Sequence, residues 1–536
     1  MFCVLLLHLI SSLLSLTHLD AQRKRAIKIF RDLIAGNPSY PERATVFTKL
    51  LTQAADRKED DGVRDLIHET FLTLWFANYK SYAGIKTSSA ALVTPLRDIR
   101  SGRASSAGDT ARQMVEVVTM SSSPKHLTSL VQEMIKGQGD NGEGKKASQR
   151  KVDRAAAEQY CASIVACLIE ELVSFEEHRD TQDNSGAQLV SLLTTLCVFA
   201  EANPLLLVNH YDTLLHYLKA DNGVSIQYES AIVSHVCKIL SLVSNCLSEN
   251  DIQRLGREDL SKDLVKITYK FGISATGAAV EALAKLATHP HSGENSPLMK
   301  SLVKLAATFY SHLVKMKDMT NDFSKVKERD RNNVHRALSV LGCICRYHEK
   351  EDATMLDDQL EAFVAVPSKE LTWSNLPSAS FVLFQAYLSK IDTATKCKAL
   401  RAMAGIFSAH PRVMLAFEQE GILKEIMSDS AHPTLQLESL QCWREILISE
   451  ELRVESGEAK RQMELKSDIT TSKKISGDQD GDASLIGACC IQHAPRLFEM
   501  TSSPHATVRL HALLLIETLL RQGLLNPMEM VRPHYD

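Results

Sequence analysis

The sequence predicts an all-α protein made of stacked helix pairs, and three observations support that fold class. The chain has 536 residues, more than one ordinary hydrophobic core accommodates, so it forms either several domains or an elongated array. Apolar residues recur with the 3.6-residue period of an amphipathic helix along most of the chain, while alternating strand patterns are scarce. Turn residues, often with proline, separate the apolar faces at regular intervals.

The apolar faces come in pairs. One face spans residues 189–199, and a partner helix is predicted after Asn203 and Pro204, because proline suits the first turn of a helix. The same periodicity recurs within residues 63–75, 164–173, 334–345, 400–407, 440–447 and 508–519. Units of about 35–45 residues have the spacing of HEAT and armadillo arrays. We therefore predict a curved α-solenoid, in which each unit packs only against its neighbours.

Changes in composition divide the predicted array. The segment 81–124 is rich in Ser, Ala and Gly, 137–150 is Gly-rich and polar, and 456–483 is charged with several glycines. Such compositions bury little apolar area, so we predict flexible insertions. The predicted organisation is then an apolar segment 1–20, HEAT repeats 21–80, an insertion 81–124, repeats 125–455 with a loop at 137–150, an insertion 456–483 and a last repeat 484–536.

Residues 1–16 form an apolar run with two interpretations. The run resembles the core of a signal peptide, but no Lys or Arg precedes it, and it is short for a membrane span. It is otherwise a buried repeat helix or a mis-assigned chain start. A signal segment or anchor would place the protein in the secretory pathway, whereas twelve scattered cysteines favour a reducing compartment.

Motifs for catalysis, cofactors and metals lack their required context. Residues 137–142 match G-x-G-x-x-G, but a predicted helix precedes them where a dinucleotide site needs a strand. Cys343 with Cys345, and Cys489–Cys490 with His493, have no second pair at zinc-finger spacing, which predicts buried thiols. His289 and His291 lie in a predicted turn. No P-loop, G-x-S-x-G or H-E-x-x-H motif occurs, so we expect a non-enzymatic protein without cofactor or metal.

Basic clusters are the candidate binding residues. The net charge is −4, so any contact with nucleic acid depends on local patches. The segment 23–31 concentrates cations on one predicted helix, where Lys24, Lys28 and Arg31 share a stripe opposite Ile27, Phe30 and Ile34. Such a stripe can neutralise backbone phosphates, or it can be an ordinary solvated face. A second cluster at 325–336 is diluted by acidic residues.

Five ordered segments resemble the Nipped-B or delangin family of cohesin loaders. They are residues 23–32, 68–76, 264–272, 336–346 and 512–527, which occur in the family's order from about residue 22 to 530. The resemblance implies a hook-shaped HEAT scaffold in the nucleus that binds double-stranded DNA and chromatin, together with the SMC heads and the kleisin of cohesin. Such a scaffold loads cohesin by stimulating the partner's ATPase, and it supports sister-chromatid cohesion and looping.

The resemblance also assigns residues. The basic segment matches the helix on which the family places DNA contacts, which implies that role for Arg23, Lys24, Arg25 and Lys28. Family members are much longer, and the region that binds the small partner subunit has no counterpart here, so we do not expect that subunit or a membrane as a partner. The alternatives are a generic HEAT or armadillo adaptor that binds proteins without DNA, and a secreted or anchored helical protein.

Overall fold

The computed structural model describes helices and their connections over most of the chain. The described residues are 20–37, 40, 42–55, 59–76, 106–120, 125–136, 147–177, 185–219, 226–257, 259–293, 296–348, 354–364, 371–411, 413–414, 421–428, 431–455, 486–489 and 491–526. These residues include no β-strand. They also contain no helix that is both long and apolar enough to cross a membrane. The predicted all-α fold, a HEAT- or armadillo-type solenoid, is confirmed.

The chain forms two compact units, the first ending at Asp251 and the second beginning at Ile252. The helices before that boundary are α1 Asp20–Gly36, α2 Arg43–Ala55, α3 Asp61–Trp75, α4 Ser106–Met120, α5 Lys125–Lys136, α6 Ala147–Glu177, α7 Ser185–Ala202, α8 Tyr211–Leu215 and α9 Ile226–Val243. In the first unit α1, α3, α5, α7 and α9 pack in succession as one layer, and α2, α4 and α6 form a second layer against them.

Helix α10, Glu249–Arg257, spans the boundary. The helices after it are α11 Leu260–Lys270, α12 Ile273–Ala287, α13 Pro297–Lys317, α14 Glu328–Arg346, α15 Thr354–Phe363, α16 Leu376–Leu388, α17 Thr393–Ala409, α18 Ile422–Ile426, α19 Pro433–Glu455, α20 Ala494–Met500 and α21 Ala506–Arg521. In the second unit α12, α14, α17, α19 and α21 pack in succession, and α11, α13, α15, α16, α18 and α20 cover one side of them. Each helix therefore buries its apolar face against neighbours in the array, as a solenoid requires.

Helix α4 corrects the prediction of a flexible insertion over residues 81–124. Residues 106–120 form a helix whose Ala111, Met114 and Val117 are buried, and it packs on α2, α6 and α7. The small Ala, Ser and Gly residues obscured its periodicity, because composition alone does not reveal which face is buried. Residues 77–105 lie outside the described part of the chain.

The other segment boundaries are partly outside the described residues. Helix α6 already begins at Ala147, inside the predicted loop 137–150. The G-x-G-x-x-G match, the predicted insertion at 456–483 and the apolar run 1–16 all fall on residues that are not described. Within the predicted helical faces, Val173 is 39% exposed, because its position lies at the edge of the buried face of α6.

A helical turn begins at Pro204, as predicted, but it is a short 3₁₀ turn and not the start of a long helix. The Asn203 side chain accepts a hydrogen bond from the Leu205 backbone N–H, and Pro204 begins a 3₁₀ turn. A second 3₁₀ turn follows α8 at His216–Leu218. The single partner helix predicted after Asn203 and Pro204 is therefore divided into three short pieces.

Two glycines allow the backbones of α14 and α17 to touch. A methyl group placed on Gly342 would lie 2.6 Å from the Ala402 Cα, and one on Gly405 would lie 2.5 Å from the Gly342 carbonyl oxygen. Real Cβ atoms do not approach so closely, so only glycine fits this crossing.

Candidate nucleic-acid interface

Helix α1 carries the four predicted DNA-binding residues, and an aromatic cluster sets its orientation. Phe30 of α1 packs edge-to-face on Phe47 of α2, with ring centroids 5.5 Å apart. Phe47 in turn contacts Phe71 and Trp75 of α3, at 5.3 and 5.2 Å. These rings are almost completely buried, so burial of the Phe30 side determines which residues of α1 face solvent.

Arg23 lies on the buried side of α1. The residue is 5% exposed, and its Nη1 donates to Glu59 Oε2 at 2.6 Å, while Nη2 pairs with Asp20. Glu59 also accepts from Gln53 Nε2 at 2.8 Å and from the Asp60 backbone N–H at 3.0 Å. The Arg23 guanidinium is therefore directed at Glu59 and Asp20 and away from solvent, and it links α1 to the turn between α2 and α3.

Lys24 occupies the border of the exposed face. Its Nζ lies 2.8 Å from Asp60 Oδ1, and the same carboxylate caps α3 by accepting from the Val63 N–H at 3.0 Å. The mutual hydrogen bond raises the pKa of Lys24 and lowers the pKa of Asp60. The pair is well hydrated, with the two side chains 38% and 41% exposed, so a phosphate can compete with Asp60 for the ammonium.

Arg25 and Lys28 form the open part of the interface. Both side chains are exposed and lie three residues apart on the same side of the helix. No ion pair of either is found among the described residues. Ile29 beside them is 51% exposed, and the exposed Asp32 follows one turn later.

Arg31 was predicted to share a basic stripe with Lys24 and Lys28, but it is not an open part of this surface. It lies near Asp32 and Glu69, with nitrogen–oxygen distances of 3.3 and 3.6 Å. The basic residues of α1 therefore differ in environment. Arg23 is buried, Lys24 is paired with Asp60, and Arg25 and Lys28 are exposed. The role of all four residues in DNA binding stays a prediction, and its geometric support is strongest for Arg25 and Lys28.

The second basic cluster also contains a structural arginine. The Arg336 Nη1 donates to the carbonyl oxygens of Thr268 and Phe271, each at 2.7 Å, which joins α14 to the end of α11. Lys325 pairs with Asp322 at 3.2 Å, and Lys327 and Arg329 are exposed.

Of the two α14 thiols that were predicted to be buried, Cys345 is buried and Cys343 is half-buried. Burial raises the pKa of Cys343 to about 11 and the pKa of Cys345 to about 12. Within the described residues no group of three or more metal-ligating side chains comes together. His289 and His291 lie in a turn with ring centroids 5.3 Å apart.

Sequence reasoning missed two sets of residues. The acidic partners Glu59 and Asp60 come from a turn 36 residues after Arg23 and Lys24, and no local signal links them. The second set is Lys300, Lys304 and Lys315 of α13, which the sequence analysis did not identify. The 21 residues of that helix include no Asp or Glu, and this feature can be read from the sequence.

Comparison with known proteins gives a consistent set of relatives. No protein-family model matches the chain. Nipped-B-like protein of Homo sapiens is 24% identical over 522 residues, which cover 95% of this chain and 16% of that protein. Nipped-B-like protein A of Danio rerio is 24% identical over 518 residues, which cover 95% of this chain and 19% of that protein. Nipped-B protein of Drosophila melanogaster is 22% identical over 518 residues, which cover 95% of this chain and 22% of that protein.

Solved structures similar to this chain include long helical proteins. A crystal structure of importin beta is 13% identical, covers 93% of this chain and 62% of its own, and has a TM-score of 0.31. The Kap95:Nup1 complex is 11% identical, with coverages of 93% and 65% and a TM-score of 0.29.

The chain spans between 16% and 22% of the length of the relatives named above. The match nevertheless covers almost all of this chain. The resemblance inferred from the five ordered segments is therefore confirmed, and this chain is similar along nearly its whole length to the Nipped-B-like proteins.

Proposed function

We propose that this chain is a cohesin-loading scaffold that binds DNA together with the SMC heads and kleisin of cohesin. In this role it promotes loading of cohesin on chromatin in the nucleus and supports sister-chromatid cohesion and looping. The observation that carries the proposal is the similarity to Nipped-B-like proteins across 95% of the chain. Since the chain corresponds to about a sixth of the human relative, it would supply part of the whole loader's contacts.

The chemistry of ATP hydrolysis would belong to the partner. The sequence has no P-loop, the glycine-rich loop whose backbone amides and lysine hold the phosphates in P-loop ATPases. A helical array can still raise the partner's rate by binding its ATP-competent conformation more tightly than its other conformations.

The DNA interface in this proposal is the exposed face of α1. Arg25 and Lys28 contact phosphates directly, and Lys24 joins them when a phosphate replaces Asp60 as its partner. Arg23 acts indirectly, because its buried pair with Glu59 holds the helix in place. Phosphate contacts are independent of base sequence, which suits a scaffold that acts throughout chromatin.

Salt dependence tests this interface. Each neutralised phosphate steepens the fall of log affinity with log salt by about 0.9. We therefore expect Arg25→Glu with Lys28→Glu to weaken binding of a fluorescent duplex and to reduce the salt slope by about 2. Fluorescence anisotropy at several salt concentrations measures both quantities.

The matched control is Arg112→Glu with Arg154→Glu. It changes the charge equally, but these arginines lie on α4 and α6 and pair with Asp109 and Glu158. If the control weakens duplex binding as much as the α1 variant, the α1 interface is wrong. A wild-type chain with no salt-sensitive duplex binding would remove DNA from the proposed function.

Cohesin binding is tested separately. Purified chain is incubated with SMC heads and kleisin, and both co-purification and ATP hydrolysis are measured. We expect a stoichiometric complex and faster hydrolysis when DNA is present. Failure to bind either subunit would contradict the loader proposal while leaving the fold unaffected.

A protein-only adaptor is the second candidate function. It is favoured by one observation, namely that Arg23 and Lys24, half of the predicted DNA-binding set, already pair with acidic side chains. Cohesin binding without salt-sensitive duplex binding would select this candidate.

A further inference from the structure

Helix α13 carries an unusual concentration of positive charge. Its 21 residues include Lys300, Lys304, Lys315 and Lys317 and no Asp or Glu. Lys300, Lys304 and Lys315 are exposed and fall on one stripe about 22 Å long. No ion pair of these three lysines is found among the described residues. Like charges four residues apart slightly destabilise a helix, so this stripe is costly unless it binds anionic groups.

The neighbouring helix α11 shows the ordinary arrangement. Its Lys262 pairs with Asp259, and its Lys266 pairs with Asp263, the former at 2.5 Å and the latter at 3.0 Å. Both acidic partners lie three residues earlier in the chain. Local pairing of this kind is absent from the stripe of α13, which leaves its lysines available to a partner.

One aromatic ring borders the stripe. The Lys304 Nζ lies 5.8 Å from the ring centroid of Phe363 of α15, which is 40% exposed. We name Lys300, Lys304 and Phe363 the lysine–aromatic surface. It joins α13 and α15, which pack on each other. Tyr269 of α11 lies outside this surface, because it stacks on Phe309, on the opposite side of α13 from Lys300.

We infer that the lysine–aromatic surface binds an acidic segment of a partner protein, with carboxylates on Lys300 and Lys304 and an aromatic or apolar side chain on Phe363. The inference rests on the scaffold part of the proposed function and is independent of the α1 interface. Exposed aromatic rings with an adjacent charge are typical anchors of protein interfaces, and opposite charges steer the partner and set its register.

A peptide fits this surface better than a nucleic acid does. Asp358 and Glu361 are exposed on α15, on the same helix as Phe363, and they would repel a phosphate backbone that crosses from α13. A peptide can place its carboxylates over α13 and an uncharged side chain over α15. The lysines also lie on one straight helix, which suits a short extended segment.

The test uses a fluorescent twelve-residue peptide of repeated Glu-Glu-Tyr and the full chain. We expect binding of this peptide and at least tenfold weaker binding when Gln replaces Glu. Lys300→Glu with Lys304→Glu should weaken binding of the acidic peptide about tenfold, and the same variant should gain binding of a Lys-Lys-Tyr peptide. Phe363→Ala should weaken binding of the Glu-Glu-Tyr peptide several-fold but leave binding of a Glu-Glu-Gly peptide unchanged.

Two control variants separate this inference from the others. Lys262→Glu with Lys266→Glu alters the paired lysines of α11 and should leave peptide affinity within about twofold. Arg25→Glu with Lys28→Glu should weaken the duplex but not the peptide, so failure of the DNA proposal would not affect this test. The inference is overturned if the α13 variant binds the acidic peptide as well as wild type does, or if the variant loses duplex binding instead.

Discussion

At the scale of single residues, two arginines two positions apart on α1 have opposite roles. Arg23 is buried with Glu59, whose side chain is only 3% exposed, whereas Arg25 is exposed. Removing one member of a buried pair leaves the other charge desolvated without compensation, which costs far more than losing a solvated surface charge. A substitution of Arg23 therefore reports mainly on the stability of the fold, whereas a substitution of Arg25 reports on the charge of the exposed surface.

We predict that Arg23→Ala destabilises the first unit by about 3 kcal/mol. Arg25→Ala should change the free energy of unfolding by less than about 0.5 kcal/mol. Urea unfolding followed by circular dichroism measures both. Replacing the pair with Arg23→Met and Glu59→Met should recover most of the loss, because no unpaired buried charge then remains; Asp20, the other partner of Arg23, is half-exposed. Equal effects of Arg23→Ala and Arg25→Ala would contradict the structural role of Arg23.

His335 connects α14 to α17 through a hydroxyl. The Thr395 hydroxyl donates to Asp392 Oδ2 at 2.6 Å, so it accepts from the His335 Nε2–H, with 2.9 Å between the atoms. Burial lowers the pKa of His335; Asp392 opposes that shift, whereas Lys398 and Arg331 reinforce it. The neutral imidazole is thus the form that the packed helices favour.

This geometry predicts that His335→Gln reduces the pH dependence of stability between pH 7.5 and pH 5.5. Since the folded pKa lies below the unfolded value of about 6.5, the unfolded chain binds more protons in that range. The stability from this group is present above the unfolded pKa and is lost as pH falls through the folded pKa. The amide of Gln can donate to Thr395 without titrating. Urea unfolding at each pH, with the exposed His505→Gln as control, should show a flatter profile only for His335→Gln.

At the scale of secondary-structure elements, the close crossing of α14 and α17 depends on two glycines, which have no side chain at the point of contact. Gly342 and Gly405 bring the two backbones into contact, and Ala402 fills the remaining space with a buried methyl group. Glycine is unfavourable inside a helix by about 1 kcal/mol relative to alanine. The contacts of the crossing must therefore outweigh a local preference for alanine at both positions.

We accordingly expect Gly342→Ala and Gly405→Ala each to destabilise the second unit by about 1–3 kcal/mol, because overpacking exceeds the gain in helix propensity. Gly256 of α10 is the matched control, since nothing lies within 4 Å of the position a methyl group would take. Gly256→Ala should be neutral or stabilise by up to about 1 kcal/mol. Thermal unfolding of the three variants checks the signs, and a stabilising Gly342→Ala would show that the crossing is looser than described.

At the scale of the whole molecule, helices pack on neighbours that are close in the array. The most extensive contacts between helices join α14 to α17, α7 to α9, and α17 to α19. Stability of such arrays is approximately a sum of terms for each repeat and each interface between adjacent repeats. Local opening should consequently remain near the site of a perturbation.

Amide hydrogen exchange should reveal this locality. We predict that Gly342→Ala raises exchange rates in α13, α14, α16 and α17 and leaves α1, α2 and α3 unchanged. Arg23→Ala should produce the reverse distribution. Mass spectrometry of peptides from both variants measures the rates, and uniform acceleration along the chain would indicate a single cooperative unit instead.

Much of this molecule was predictable because helix periodicity is a local property. The buried faces of α3, α7, α14 and α21 agree with the apolar pattern. The helix α4 was missed, because small residues give a weak apolar signal even when they pack closely.

An all-α repeat fold and the similarity to Nipped-B-like proteins follow from the order and spacing of residues along the chain. Which charges are available to a partner depends instead on how the helices pack. Arg23 and Arg25 have the same side chain, and the difference between them comes from Glu59, which is 36 residues away from Arg23. Pairing across such distances is set by how helices pack, so the candidate interface on α1 was predictable as a helix but not as a set of exposed cations.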